Sequence, residues 1–463
     1  MQDQIRTAIT KALVSLGITP VDFSVEHPSD MTHGDYATNA AILSARGRGE
    51  NPHELADKIA AQLHVMHIES IEKIEIAGPG FINFHLSRDF FADRVKEVLK
   101  KGDDWGKNKR YAGERVMVEY TDPNPFKELH IGHLVPNALG ESLARLFMFA
   151  GAETKRVTYQ GDVGMHVAKA IYGMQQLNIT GETKLTAADL GKAYALGAKA
   201  FEDSSEAATE ITKLNKIIYE RTNEEVNALY DKGKAVSLAS FEEGYEILGS
   251  AFDHNFFESE TGPVGAALVR AHPEIFETSE GAVIFRGEQY GLHTRVFINA
   301  KGLPTYEAKD IGLMERKYEW WPFDLSITVT GAEQRQYFAV MTKAAELISP
   351  VLAGKIELIT NGMLRLPTGK MSSRSGNIIS ALSLIEEVRQ KILDRMKESN
   401  LKDKEAIARD VAVGAIKYTI LRSTAGKDIV FDLEQSISLE GASGPYLQYT
   451  HARARSILEK AKR

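Results

Sequence analysis

Val116-Met117-Val118-Glu119-Tyr120, running into Thr121-Asp122-Pro123-Asn124-Pro125-Phe126-Lys127-Glu128-Leu129 and then His130-Ile131-Gly132-His133, is the stretch that decides the fold. The first five residues form a short apolar run bounded by turn residues, the signature of a buried strand. A loop from Thr121 to His130 follows, and helical spacing then extends from about Gly132 to Phe149. Pro136 is read as lying near the start of that helix, where a missing N–H costs little. A second strand, Arg156 to Tyr159, stops at Gly161-Asp162-Val163-Gly164. Strand, helix and strand in this order build a doubly wound parallel sheet, so the fold class is α/β.

Working outward, residues 1 to about 103 read as a small α+β domain. Ile5, Ile9, Leu13 and Leu16 lie on one helix face, Pro52 to Leu63 repeats helical spacing, and Ile71 to Ile76 and Phe81 to Leu86 alternate as two strands of one sheet around Gly78-Pro79-Gly80. The parallel-sheet domain is placed at 104–380. From about 175 to 295 the chain reads as a helical insertion, and strand signals return at Val296 to Ile298, Leu325 to Val329 and Ile356 to Leu366. A helical region at 381–440 carries Ile385, Val388, Ile392 and Met396 on one face, with Ser380 or Ser383 available as its cap. Residues 441–463 form a final helical segment.

Composition narrows the function classes. At 463 residues the chain exceeds a single core of ~250–300 residues, which predicts two to four domains. An apolar fraction of 43% and a charged fraction of 26% suit an ordinary globular chain. A net charge of −7 means that any nucleic acid must be met by local patches. With no cysteine and no H-E-x-x-H pattern, neither a disulfide nor a structural zinc is expected. No apolar stretch approaches ~20 residues and the first residues have no secretory pattern, so a cytoplasmic protein without membrane contact is expected.

Two segments carry chemistry. An H-x-G-H tetrapeptide arises by chance in only about 0.03 copies per chain of this composition. Between a strand and a helix start, His130 and His133 sit where backbone N–H groups and the helix dipole favour a phosphate, and Gly132 lets a nucleotide approach closely. The second segment, Thr368-Gly369-Lys370-Met371-Ser372-Ser373-Arg374-Ser375-Gly376-Asn377, is a Gly- and Ser-rich loop with two cations, suited to closing on β and γ phosphates.

These segments resemble the H-I-G-H and K-M-S-K-S signatures of class I aminoacyl-tRNA synthetases. Val118 to Lys127, Tyr159 to Gly164, Thr305 to Ile311, Val329 to Gln334 and Gly441 to Tyr449 are similar to arginyl-tRNA synthetases in particular, as are Gly34 to Asn39 and Pro79 to Asn83 in that family's additional N-terminal domain. The resemblance implies a Rossmann-like catalytic domain that joins L-arginine to tRNA(Arg) using ATP with Mg2+, in a protein expected to be a monomer. It places His130, His133, Lys127 and Lys370 as catalytic groups, and His130, Gly132, His133, Gly331, Lys370, Met371, Ser372 and Arg374 on ATP. Lys127 would stand in for the lysine that Ser373 replaces in the second signature.

Arginine would be held by Glu119 and Asp310 on the guanidinium, Tyr306 as a wall, His133, and Asn124 with Gln334 at the α-amino end; planar bidentate carboxylates suit a guanidinium. tRNA would touch Tyr36, Asn39, Phe81 and Asn83 near its elbow, and Tyr446, Gln448 and Tyr449 at the start of a shortened anticodon-binding domain. Val163, Met165-His166 and Pro136 depart from the family pattern of an aromatic, a Thr-Gln pair and an arginine, and His166 reads as a core-edge histidine. Two other readings remain open, another H-x-G-H nucleotidyltransferase and a non-catalytic tRNA-binding relative.

Overall fold

The computed structural model describes residues 1–46, 48–365, 367, 380–397 and 401–461. They divide into two compact units, 1–107 and 108–463. In the first unit four antiparallel strands run in the order Val25–Glu26, Tyr36–Thr38, Phe81–Leu86, Ile71–Ala77. Helices Gln2–Ser15 and Pro52–Met66 bury Ile5, Ile9, Leu13, Leu55, Ile59 and Leu63 with Ile82 and Phe84 of the sheet. The two strands read from the alternation at 71–86 pair as expected, Ile74 opposite Phe84.

The second unit is built on five parallel strands, β1 (Arg115–Glu119), β2 (Glu153–Gln160), β3 (His254–Phe257), β4 (Leu325–Gly331) and β5 (Ile356–Asn361), in the order β5-β4-β1-β2-β3. Both faces of the sheet are covered, which is why β1 is apolar throughout. Val116 and Val118 pack with Ala144 of helix α1 (Ile131–Phe149), while Met117 joins the core on the opposite face. Strand order reverses between β1 and β4, and the crevice beyond their carboxyl ends is where such sheets bind ligands.

Helices α2 (Met165–Gln176), α3 (Ala187–Asp203), α4 (Ser205–Glu220) and α5 (Glu224–Leu248) share a separate core around Ile171, Met174, Ile211 and Tyr230. Helices α6 (Glu258–Ala271), α7 (Tyr306–Trp320) and α8 (Arg335–Ile348) cover one face of the sheet. Helices α9 (Ala381–Arg395) and α10 (Lys404–Leu421) pack on α1, and α11 (Gly444–Ala461) packs on α10. Ser380 caps α9, its Oγ accepting from the Ser383 N–H at 3.0 Å, and Ile385, Val388 and Ile392 are buried.

Four readings are corrected. The span 175–295, read as mostly helical with no strand before Gly281, also holds β3 and the strand Glu277–Ser279, and segments of three or four residues are too short to show a period. Arg295–Ile298 is a strand but pairs antiparallel with Ala282–Phe285 in a separate three-stranded sheet, since alternation does not name a partner. The segment from Ile356 splits at Gly362, whose missing Cβ would fall 2.1 Å from the Lys427 carbonyl oxygen; Leu364–Arg365 then pairs with Ile429–Val430. Pro136 is the sixth residue of α1, so its missing N–H withholds the intrahelical bond to the Gly132 carbonyl.

Candidate active site

The H-x-G-H segment forms the first turn of α1, and its two histidines cap each other's backbone. His130 Nδ1 accepts from the Gly132 N–H at 3.1 Å, and His133 Nδ1 accepts from the His130 N–H at 3.1 Å. The rings stack at 3.8 Å. Gly132 permits this, because a Cβ there would lie 2.9 Å from the His130 ring. Burial lowers the pKa of both rings, and the Lys127 charge pushes in the same direction. Two neutral imidazoles with Nδ1 committed as acceptors must carry their protons on Nε2, which makes both donors to an anion at the helix N-terminus.

Lys127 itself lies over the Tyr194 ring of α3 at 4.9 Å, with its pKa lowered by burial and by Lys169. Ser380 pairs with His130 in an antiparallel bridge, and the Ala381 N–H donates to the Leu129 carbonyl at 2.8 Å. The chain following the second signature therefore joins the first. Lys370, Met371, Ser372 and Arg374 themselves lie outside the described residues.

The loop between β1 and α1 is held in an uncommon backbone. Thr121, Asp122 and Phe126 have φ of 79°, 45° and 66°, a region that costs L-residues energy and persists only when surrounding contacts impose it. Five hydrogen bonds, on four loop residues, do so. Thr121 Oγ1 accepts from Asn137 at 3.0 Å, and Asp122 Oδ1 accepts from the Tyr159 N–H at 2.8 Å and the Thr158 hydroxyl at 3.2 Å. Asn124 Oδ1 accepts from the Gly161 N–H at 3.1 Å, and the Phe126 N–H donates to Ser237 Oγ at 2.8 Å. Gly161 is needed for the bond to Asn124, since a Cβ would sit 2.4 Å from Asn124 Oδ1. His166 donates from Nε2 to the Gly161 carbonyl at 2.7 Å, and burial takes its pKa down to about 4.

At the β1/β4 crevice a cleft of about 560 Å³ is lined by Glu119, Asn124, Tyr306, Asp310 and Gln334, five of the six residues assigned to arginine. His133 is the exception; it belongs to the helix start just described. Six carboxylates line the cleft, and three of them already have a cation. Glu119, 3% exposed, pairs with Lys317, 1% exposed, at 3.0 Å. Glu258 pairs with Lys309 at 2.5 Å, and Glu307 with Arg295 at 3.6 Å.

Among the described residues, Asp310 has the Tyr337 hydroxyl as its hydrogen-bond donor, at 2.6 Å; burial, with the neighbouring Glu119 charge adding to it, pushes its pKa up to about 8. Burial and Glu119 also raise the Asp122 carboxyl well above the usual range. Tyr306, 66% exposed, stands at the mouth as the first residue of α7, its ring 5.2 Å from the Lys309 ammonium. Gly331 ends β4, where a Cβ would fall 2.4 Å from the Glu333 carboxylate.

Sequence reasoning passed over Lys317, Tyr337, the Glu258–Lys309 pair and Asp122. A signal existed for Lys317: it follows Asp310 by seven residues on α7, a spacing that returns to the same helix face. Asp162, quoted only as part of a motif, is fully buried and takes hydrogen bonds from Tyr230, Lys234 and Ser259, tying α5 and α6 to the end of β2.

The residues assigned to tRNA fall in two places. In the first unit, Asn39, Phe81 and Asn83 line a cleft of about 570 Å³, and the Tyr36 ring packs tilted against His27, centroids 4.3 Å apart. Asn39 Oδ1 accepts from the Ser24 N–H at 3.0 Å, Asn83 is buried, and Phe81 is exposed. On α11, Tyr446 and Tyr449 are exposed, while Gln448 donates to the Asp410 carbonyl at 3.1 Å.

Comparison with known proteins finds relatives that span nearly the whole chain. Residues 94–433 match the model of the class I (R) tRNA synthetase catalytic domain, and residues 1–86 match that of the arginyl tRNA synthetase N-terminal domain. An arginine–tRNA ligase of Treponema denticola is 31% identical over 96% of this chain and 78% of its own length. One from Clostridium perfringens is 29% identical over 98% of this chain and 80% of its own. The Thermus thermophilus arginyl-tRNA synthetase structure superimposes with a TM-score of 0.77 at 25% identity, over 100% of this chain and 82% of that one. The chain belongs to the arginyl-tRNA synthetase family of class I aminoacyl-tRNA synthetases.

Proposed function

We propose that the chain activates L-arginine with Mg-ATP and transfers it to tRNA(Arg) as a cytoplasmic arginine–tRNA ligase. In the first step an oxygen of the arginine carboxylate attacks the α-phosphorus, the bond to the bridging oxygen breaks, and pyrophosphate leaves with the electron pair. No covalent enzyme intermediate is needed, so the protein contributes positioning and charge. His130 and His133 donate Nε2 hydrogens to the triphosphate at the start of α1. Lys127 and Lys370 offset the charge on the leaving pyrophosphate, and Met371, Ser372 and Arg374 are assigned to the nucleotide by the resemblance of their segment. Mg2+ is part of the nucleotide substrate, held mainly by phosphate oxygens. In the second step a terminal ribose hydroxyl of tRNA attacks the adenylate carbonyl and AMP leaves. Tyr36, Asn39, Phe81 and Asn83 are assigned to the tRNA elbow, and Tyr446, Gln448 and Tyr449 to its other arm.

The observation that carries the choice of arginine is Asp310, a shielded carboxylate that faces the β1/β4 cleft without a cationic partner among the described residues. A guanidinium supplies the missing charge in a planar form that fits a carboxylate. Pyrophosphate exchange with each amino acid, with and without tRNA, tests the reading. Exchange with arginine that depends on tRNA is the expected result; exchange driven by another acid, or none at all, would overturn it.

A further inference from the structure

Arginine brings two cations into the cleft, a guanidinium and an α-ammonium, at opposite ends of a flexible chain. Three cleft carboxylates are already neutralised by Lys317, Lys309 and Arg295. Glu333 is exposed at the rim. Among the described residues, the shielded cleft carboxylates left without an ion pair are Asp310 and Asp122. Asp310 lies on α7, whereas Asp122 lies on the loop that runs directly into the phosphate-facing turn of α1. The end of arginine that reacts with ATP must point toward that turn, so the α-ammonium comes to the Asp122 side.

Asn124, to which the α-amino end was assigned, is poorly suited to an ammonium. Its Oδ1 is engaged by the Gly161 N–H, so what it presents to the cleft is an NH2 group, a donor. A donor fits the substrate carboxylate. Asp122 is the complement: Oδ1 is occupied by Tyr159 and Thr158, and no protein donor is recorded on Oδ2 among the described residues. We propose that Asp122 is a specificity-determining residue that receives the α-ammonium of arginine on Oδ2, while Asn124 orients the adjoining carboxylate. This rests on the arginine reading of the cleft and adds the residue that distinguishes an α-amino acid from other guanidino acids.

The test compares binding of L-arginine and of 5-guanidinopentanoate, which is arginine without its α-amino group, to the full chain by calorimetry. The unaltered chain should bind the analogue at least ~10-fold more weakly, the low end for loss of a charge-assisted hydrogen bond. Asp122→Asn keeps the Oδ1 acceptor that anchors the loop and removes only the charge. It should weaken arginine by at least ~10-fold and leave the analogue within about 2-fold, bringing the ratio close to one. Equal affinities in the unaltered chain overturn the proposal, as does a variant that weakens both ligands alike, which would make Asp122 a loop anchor only. Failure of the unaltered chain to bind either guanidino compound would instead defeat the arginine reading itself.

Discussion

Arginine binding should release a proton, and the structure sets how much. In the free cleft Asp310 has a pKa of about 8, because burial and the nearby Glu119 charge disfavour its ionised form. At pH 7 about 0.9 of the population is then protonated. A guanidinium needs the carboxylate, so binding at pH 7 must expel about 0.9 proton from this group alone, and the raised pKa of Asp122 can only add to the total. The sign follows directly: below pH 8 protons compete with arginine, so Asp310 alone makes affinity rise about 10-fold from pH 6 to pH 7, and any part taken by Asp122 makes the rise steeper. Calorimetric titration of arginine in buffers of different ionisation enthalpy counts the protons. Asp310→Asn should reduce the count by about 0.9 and weaken arginine severely. Arginine binding with no proton release at pH 7 and the same affinity at pH 6 and 8 would refute the argument.

Three other outcomes follow from particular contacts. His133→Ala should reduce pyrophosphate exchange by at least ~10²-fold if the ring donates to the triphosphate in the transition state; an unchanged rate would make it only a helix cap. Lys317→Met leaves Glu119 buried without its cation and should destabilise the second unit by about 3–5 kcal/mol, seen in thermal unfolding, with Glu119→Gln on the same background restoring part of the loss. Gly161→Ala drives a methyl group against Asn124 Oδ1, so the KM for arginine should rise by about 10-fold in steady-state kinetics; an unaltered KM would show that Asn124 is not needed where it stands.

The strand, loop and helix at 115–149 were legible because a strand buried on both faces is apolar without interruption and the helix that follows is long. β3 was not, because His254–Phe257 offers four residues and no period. Arg295–Ile298 was legible as a strand and not as a member of its sheet, since pairing is settled by what the whole chain brings alongside. The same division holds in the cleft. Glu119 and Asp310 could be singled out as carboxylates, yet that Lys317 neutralises the first and not the second depends on how the fold brings α7 to the end of β1. Asp122 stood inside a quoted motif; its importance comes from which of its oxygens the protein has already used.

The reciprocal cap of His130 and His133 also ties catalysis to acid tolerance. Each Nδ1 lone pair is spent on a backbone N–H at the start of α1, so neither ring can take up a second proton without letting go of the helix. Both rings resist protonation in the folded chain more than in the unfolded one, which makes folding stability decline as pH falls below ~6.5. Acid should therefore fray the first turn of α1 and disable the proposed phosphate donors in a single event, and a change that hardens the enzyme against acid without retaining that turn would, on that proposal, do so at the cost of its grip on ATP.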